Sequence, residues 1–345
     1  MLNTLKKKDP VIAKDVEELT GRLKEKASFD GKKVLITGVA GFLGSWIADT
    51  LYTLGAEITG IDNLSTGSLK NIEHLLNLPY FKLLKKDLTN YEWDGTKYDI
   101  ILNLAARPSP DDYIKHPVET LLISSRGTYS VLEITRKCDA TLLYTSTSEV
   151  YGEPRVIPTP ESYWGYVNPI GPRSCYNEGK RFAEALCMAY LRQYGVDVRI
   201  SRIFNTYGPR LDSSMPSYGR VVVKFILAAL NDKPMTIYGD GLQTRSFCYA
   251  SDCIEAQLLL ALSPKVKGEV VNVGSDYEIT ILGLAKLIKK LTGSKSKIVF
   301  KPPRPDDPKR RRPDIRKAKE LLDWSPRTML EDGLIKTINW IKVKR

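Results

Sequence analysis

Short apolar runs alternate with helix-period segments from Gly31 onward. Lys33–Gly38 (KVLITG) is a β-branched run that predicts a strand, and Gly41–Leu54 carries apolar positions at helical spacing. Further strands are expected over Glu57–Asp62, Phe81–Leu88, Asp99–Ala106, Thr141–Thr147 and Val196–Phe204, with helices over Val118–Lys137 and Tyr176–Tyr194. Near-continuous apolar strands separated by helical crossovers predict an α/β fold with a doubly wound parallel sheet covered on both faces.

The alternation loosens after Asn205. Pro, Gly and Ser cluster over Tyr207–Tyr218. A helix is expected at Val221–Leu230, a strand at Thr236–Tyr238, a helix at Cys253–Leu262, a strand at Gly268–Val273 and a helix at Leu282–Leu291. A Pro-rich loop, KPPRPDDPKRRRPD, precedes helices at Ile315–Leu322 and Leu330–Val343. The expected division is a charged helical extension over 1–30, a doubly wound domain over 31–205 with return segments near 235–275, and a smaller interleaved domain mainly over 206–345. The extension is expected to pack as a solvated helix.

Composition adds little until the charge is located. The 345 residues carry 52 basic and 40 acidic side chains, a net charge of +12. Residues 1–280 are balanced, whereas residues 281–345 hold 19 basic and 7 acidic groups. The excess has no accompanying stripe of base-stacking aromatics, which disfavours nucleic acid as a partner. No stretch approaches the roughly 20 apolar residues of a membrane span; Val221–Leu230 is interrupted by Lys224. The N-terminal segment lacks the apolar core of a signal peptide. Cys138, Cys175, Cys187, Cys248 and Cys253 form no CxxC pair and no metal spacing with His74 or His116, so no metal is expected and reduced thiols in the cytoplasm are.

Three motifs carry chemistry. Gly38-Val-Ala-Gly41-Phe-Leu-Gly44 lies between the first strand and first helix, where glycines permit a tight turn and close approach of backbone to a pyrophosphate. Asp62 closes the second strand, placed to accept from ribose hydroxyls and to repel a 2′-phosphate, which favours NAD over NADP in a Rossmann-type sheet. Tyr176 and Lys180 stand one helical turn apart. In a chain with 18 tyrosines that spacing alone is weak, and its position after the fifth strand gives it weight. An ammonium ~5 Å from the phenol would contribute roughly 3 kcal/mol to phenolate, drawing the Tyr176 pKa from about 10 toward about 8. Thr147, at the end of the fifth strand, can bond the same substrate oxygen.

These motifs in this order resemble the extended short-chain dehydrogenase/reductases that act on nucleotide sugars. TSTSEVYGEP (145–154), YWGYVNPIGPRSCYNEGKRFAEAL (163–186), RIFNTYGPR (202–210), GLQTRSF (241–247) and RRRPDIRKAK (310–319) are similar to the UDP-glucuronate decarboxylase family, across roughly residues 31–340. Where 4,6-dehydratases carry Thr-Asp-Glu, this strand has Thr147-Ser148-Glu149, so the acid for a leaving hydroxyl is missing; 4-epimerases generally lack the acidic residue.

The resemblance implies C4 oxidation by NAD, loss of CO₂ from C5 and re-reduction at C4, giving UDP-xylose. It implies catalytic roles for Thr147, Glu149, Tyr176, Lys180 and Arg245, with Glu149 and Arg245 near C5 in undivided roles. Cofactor contacts transfer to Gly38, Gly41, Phe42, Leu43, Asp62, Asn63, Asp87, Leu88, Leu104, Ala105, Ala106, Tyr176 and Lys180. UDP-sugar contacts transfer to Tyr113, Asn205, Arg220, Lys224, Gln243, Arg245 and Arg311. A homodimer through the helices at Val118–Lys137 and Tyr176–Tyr194 is implied as well. Arg107 and Ser124 depart from the family pattern, as does Asn103-Leu104-Ala105-Ala106 in place of His-Leu-Ala-Ser. A 4,6-dehydratase, a 4-epimerase and a catalytically silent NAD-binding regulator stand as alternatives.

Overall fold

In the computed structural model, residues 1–211 and 220–344 are described. Most of the expected Pro/Gly/Ser-rich loop, beyond residue 211, lies outside them. The β-branched run Lys33–Thr37 forms β1, buried from its second residue onward. β2 (Glu57–Ile61), β3 (Phe81–Leu84), β4 (Ile100–Asn103), β5 (Thr141–Thr147), β6 (Asp197–Ile203) and β7 (Val270–Val273) complete a parallel sheet. Its order is β7-β6-β5-β4-β1-β2-β3. The strand order reverses between β1 and β4, and a crevice opens beyond the carboxyl ends of those strands.

Two strands stop earlier than their apolar runs suggest, for visible reasons. After β3, the Asp87 carboxylate accepts from the Thr89 backbone N–H at 2.9 Å and curls the chain into a single turn, Leu88–Asn90. After β4, the Thr37 hydroxyl donates to Asn103 Oδ1 at 2.7 Å and accepts from the backbone N–H groups of Leu104 and Ala105 at 3.2 Å. That hydroxyl draws the Leu104–Ala106 loop under the glycine turn.

The helix expected over Val118–Lys137 is helical throughout but contains a wide turn, Ile123–Gly127, between Pro117–Leu122 and Thr128–Cys138. Gly179 of the helix Ser174–Tyr194 meets this turn; a Cβ there would stand 3.1 Å from the Ser124 hydroxyl. The small Ser124 side chain lets the two helices close.

Beyond β6, Met235–Tyr238 pairs with Ile298–Lys301, and Thr244–Ser246 lies between Glu278–Thr280 and Arg310–Arg311. The two-residue strand Arg310–Arg311 has no apolar alternation by which sequence could announce it. Its register sets Arg311 opposite Arg245.

The N-terminal segment packs on the domain as two helices, Leu2–Lys8 and Pro10–Lys24. Pro10–Lys24 buries Ile12, Val16, Leu19 and Leu23 against the helices Phe42–Thr53 and Ala250–Leu262. Its Asp15 is buried, accepting from the Tyr249 hydroxyl at 2.6 Å and from Lys336. Trp46, fully buried, donates to Pro209 O at 3.1 Å and meets the Tyr249 ring edge-on.

Candidate active site

At Gly38, φ of +70° suits a residue without Cβ, and a Cβ on Gly44 would fall 2.1 Å from Gly38 O. The helix Phe42–Thr53 therefore starts hard against the strand-to-helix turn, with Gly41 at its N-cap and no side chain capping it. Its first N–H groups and positive dipole end suit a phosphate. Asp62 accepts from Ala40 N–H at 2.9 Å and Leu64 N–H at 2.8 Å. Burial pushes its carboxyl up, and those two N–H groups oppose the shift. Asn63 donates to Asp87 at 2.8 Å, joining two further predicted contacts. A glycine turn without a Cβ, an uncapped helix start and a buried carboxylate on β2 together fit a dinucleotide with an unphosphorylated ribose.

The same cavity, about 460 Å³, runs on to Tyr176 and beyond. Every cofactor and substrate residue expected from the sequence lines it, from Gly38 and Asp62 to Tyr113, Asn205, Arg220, Lys224, Gln243 and Arg245. Tyr176 stacks on Tyr113 with ring centroids 5.2 Å apart and an interplanar angle of 2°. Its phenol is hydrogen-bonded with Thr147, whose hydroxyl also accepts from Glu149 N–H at 3.2 Å.

One electrostatic expectation fails. Burial pushes the Tyr176 phenol up to about 12, against the Thr147 hydrogen bond and the charges of Arg220 and Arg311. The Lys180 ammonium donates to Thr145 O at 2.7 Å and lies over the Tyr144 ring, and burial brings its own pKa down to about 8. One-turn spacing shares a face, but it does not direct the Lys180 head at the phenol.

Past Thr147 stands a chain of charges. Glu149, largely buried, accepts from Arg173 Nη2 at 2.8 and 2.9 Å and from Arg311 Nη1 at 2.7 Å. Arg173 Nη1 reaches Asp307 at 2.9 Å, and Arg245 Nη2 reaches the other oxygen of Asp307 at 3.0 Å. Burial would raise the Glu149 carboxyl, yet Arg173 and Arg311, then Arg245, hold it at about 2. Burial and the charge of Arg311 lower Arg245 to about 10. Arg311 Nε and Nη2, Asn205 Nδ2 and the Tyr113 hydroxyl are buried without a partner among the described residues. Unpaired buried donors on cavity-lining residues suit a polar, anionic occupant.

Arg173 and Asp307 were not anticipated. Arg173 sits at the N-cap of the Tyr176 helix, inside the segment NPIGPR, and three residues before Tyr176 is one helical turn, the signal that could have drawn attention to it. Asp307 lies in a Pro-rich loop with no periodicity. Of the departures from the family pattern, Arg107 is tied to Asp112 at 2.9 and 3.0 Å. Lys224 and Arg304 both pair with Asp111.

Residues 35–337 match the family described as GDP-mannose 4,6 dehydratase. The chain is 48% identical over 311 residues to UDP-glucuronic acid decarboxylase 1 of Danio rerio, covering 90% of this chain and 73% of that one. It is 45% identical over 322 residues to the Arabidopsis thaliana protein of the same name, covering 93% and 72%. The chain belongs to the UDP-glucuronic acid decarboxylase family. Among solved structures it resembles the UDP-glucuronic acid 4-epimerase of Bacillus cereus in complex with UDP-glucuronic acid and NAD, with a TM-score of 0.81, 32% identity and coverage of 91% and 100%. The UDP-glucose 4-epimerase of Thermotoga maritima with UDP-glucose gives a TM-score of 0.81 and 30% identity over 90% and 99%. These decarboxylase relatives thus exceed the two epimerases in identity. Ser148 is buried in the turn after β5, and its hydroxyl offers none of the acidity a dehydratase needs next to Glu149.

Proposed function

We propose that this chain decarboxylates UDP-glucuronate to UDP-xylose through a 4-keto sugar, using NAD held in the cleft between β1 and β4. The observation that carries this reading is Glu149, kept ionised between Arg173 and Arg311 beside the Thr147–Tyr176 pair. Gly38, Gly41, Phe42 and Leu43 would cradle the pyrophosphate, Asp62 the adenosine ribose, and Asn63, Asp87 and Leu88 the adenosine side. Leu104, Ala105, Ala106, Tyr176 and Lys180 would flank the nicotinamide half. Bound NAD supplies the oxidant for C4 and returns the same two electrons at the end.

Tyr176 takes the C4 hydroxyl proton as C4 is oxidised, while Thr147 bonds the same oxygen. The C4 ketone is β to the C5 carboxylate, so the C5–CO₂ bond can break with its electron pair passing to C5 and O4. Thr147 and the now protonated Tyr176 donate to that enolate oxygen. Held at about 2, Glu149 is an acceptor and not an acid. Its part is to orient a water whose proton goes to C5, the hydroxide left behind taking a proton from bulk solvent, with Arg245 and Arg311 neutralising charge around it. Tyr113, Asn205, Arg220, Lys224, Gln243 and Arg311 would hold the UDP-sugar.

Exposed Val118, Leu121 and Phe182 on neighbouring helices support pairing with a second copy. The five free cysteines support a reducing, cytoplasmic setting. The test is incubation with UDP-glucuronate and NAD: CO₂ and UDP-xylose are expected, whereas UDP-galacturonate as product would replace this reading with a 4-epimerase.

A further inference from the structure

Arg173 is assigned no part in the contacts described above as binding UDP-sugar or cofactor, yet it is central to the charge chain. It stands at the N-cap of the helix that carries Tyr176 and Lys180. One nitrogen spans both Glu149 oxygens at 2.8 and 2.9 Å, and the other reaches Asp307 at 2.9 Å. Asp307 in turn receives Arg245 at 3.0 Å. Arg173 thus joins three separate pieces: the turn after β5, the catalytic helix and the Pro-rich loop that lines the cavity with Arg304 and Asp307.

We propose that Arg173 is a positioning residue for the decarboxylation half of the reaction. It keeps Glu149 a carboxylate aimed at C5, and it fastens the Asp307 loop, and through it Arg245, over the substrate's carboxylate end. The proposal rests on the decarboxylase reading and deepens it.

The groups facing Glu149 are Arg173 from the helix start, Arg311 from its two-residue strand, Arg245 from the strand beside it, and Tyr113 and Tyr176 from the cavity wall. Arg173 is the first charge among those that hold Glu149 down. Opposite charges at hydrogen-bond range lower a carboxyl by about one to three pKa units. Without Arg173, only Arg311 and the more weakly acting Arg245 oppose burial, and the Glu149 carboxyl rises. Protonation of Glu149 then moves up by that margin, so the steps after C4 oxidation are lost as pH falls through the new value.

A lysine at 173 restores the charge but has one head where the guanidinium has two. It can serve Glu149 or Asp307, but not both. Charge and bridge therefore separate in two variants.

The experiment compares the wild type with Arg173→Gln and Arg173→Lys, following UDP-glucuronate consumption, UDP-xylose formation and cofactor reduction from about pH 4 to pH 9. Arg173→Gln is expected to lower kcat by about 10²-fold, to add to the wild type's rise toward pH 8 a second acid limb confined to the steps after C4 oxidation, and to accumulate reduced cofactor because C4 oxidation survives. Arg173→Lys is expected to lose that second limb again, keeping the wild type's rise toward pH 8, while KM for UDP-glucuronate rises about 10-fold. Equal kcat losses in both variants, with unshifted pH profiles and no reduced cofactor, would show that Arg173 only holds the helix in place and would overturn the proposal. A wild type that leaves UDP-glucuronate untouched would instead overturn the decarboxylase reading itself.

Discussion

Arg311 reaches Glu149 at 2.7 Å across 162 residues of sequence, because its short strand pairs in parallel with the strand that carries Arg245. That pairing turns two Arg-rich loops into one wall of the active-site cavity. It also explains where part of the C-terminal positive charge goes: Arg311 is buried in the cavity wall, while Arg316 pairs with Asp314 on the surface and Lys317 with Glu269.

Tyr176→Phe removes the phenol and keeps a ring able to stack on Tyr113. Loss of a positioned general base costs about 10²–10⁴-fold, so addition of UDP-glucuronate should no longer reduce the bound cofactor. Cofactor affinity, measured by fluorescence titration, should stay within a few-fold of wild type. A normal oxidation step in this variant would remove Tyr176 from its role.

The pH dependence of oxidation follows from the values at Tyr176 and Lys180. The reactive form is phenolate beside ammonium, although the phenol titrates at about 12 and the ammonium at about 8. That form carries the same number of protons as phenol beside neutral amine, so its share grows until pH ~8 and then stays level. Single-turnover kcat/KM for C4 oxidation should therefore rise to about pH 8 and plateau. Lys180→Met should push the rise toward the phenol's own titration. Lys180 also affects stability: its folded pKa lies below the unfolded value of about 10.5, so its destabilising effect is complete below pH 8 and is relieved as pH climbs between the two values.

Glu149→Gln keeps the shape and removes the charge that Arg173 and Arg311 share. C4 oxidation is expected to remain within about 10-fold of wild type, and the later steps to slow enough that reduced cofactor accumulates. Stability should fall by about 1–3 kcal/mol, because two buried guanidiniums lose their anion. Unchanged turnover would make Glu149 purely structural.

Gly44→Ala tests the cofactor cradle without touching the substrate end. Its Cβ would sit 2.1 Å from Gly38 O, backbone against backbone, so the helix start must move away from the turn. NAD affinity should drop at least 10-fold and thermal stability should fall; NAD binding at wild-type strength would show that the glycine turn is not the phosphate site.

The parallel sheet was legible because its strands are continuous apolar runs, and the β1 turn because three glycines mark it. Tyr176 and Lys180 were legible as a pair, but the consequence was misjudged: burial outweighs a neighbouring ammonium that is turned to Thr145 O. The arginine–carboxylate chain was only half legible. Glu149, Arg245 and Arg311 came from family resemblance, while Arg173 and Asp307 depend on how a helix start and a Pro-rich loop approach one another. No local pattern encodes that approach. The charges of the N-terminal segment announce its solvated face, and Ile12, Val16, Leu19 and Leu23 form the face by which it packs on the domain.

The most direct test is the fate of UDP-glucuronate carrying a labelled C6 carboxylate, incubated with the full chain and NAD. Release of the label as CO₂ in step with UDP-xylose formation is the predicted result. Full retention of the label in a UDP-hexuronate product would contradict the account.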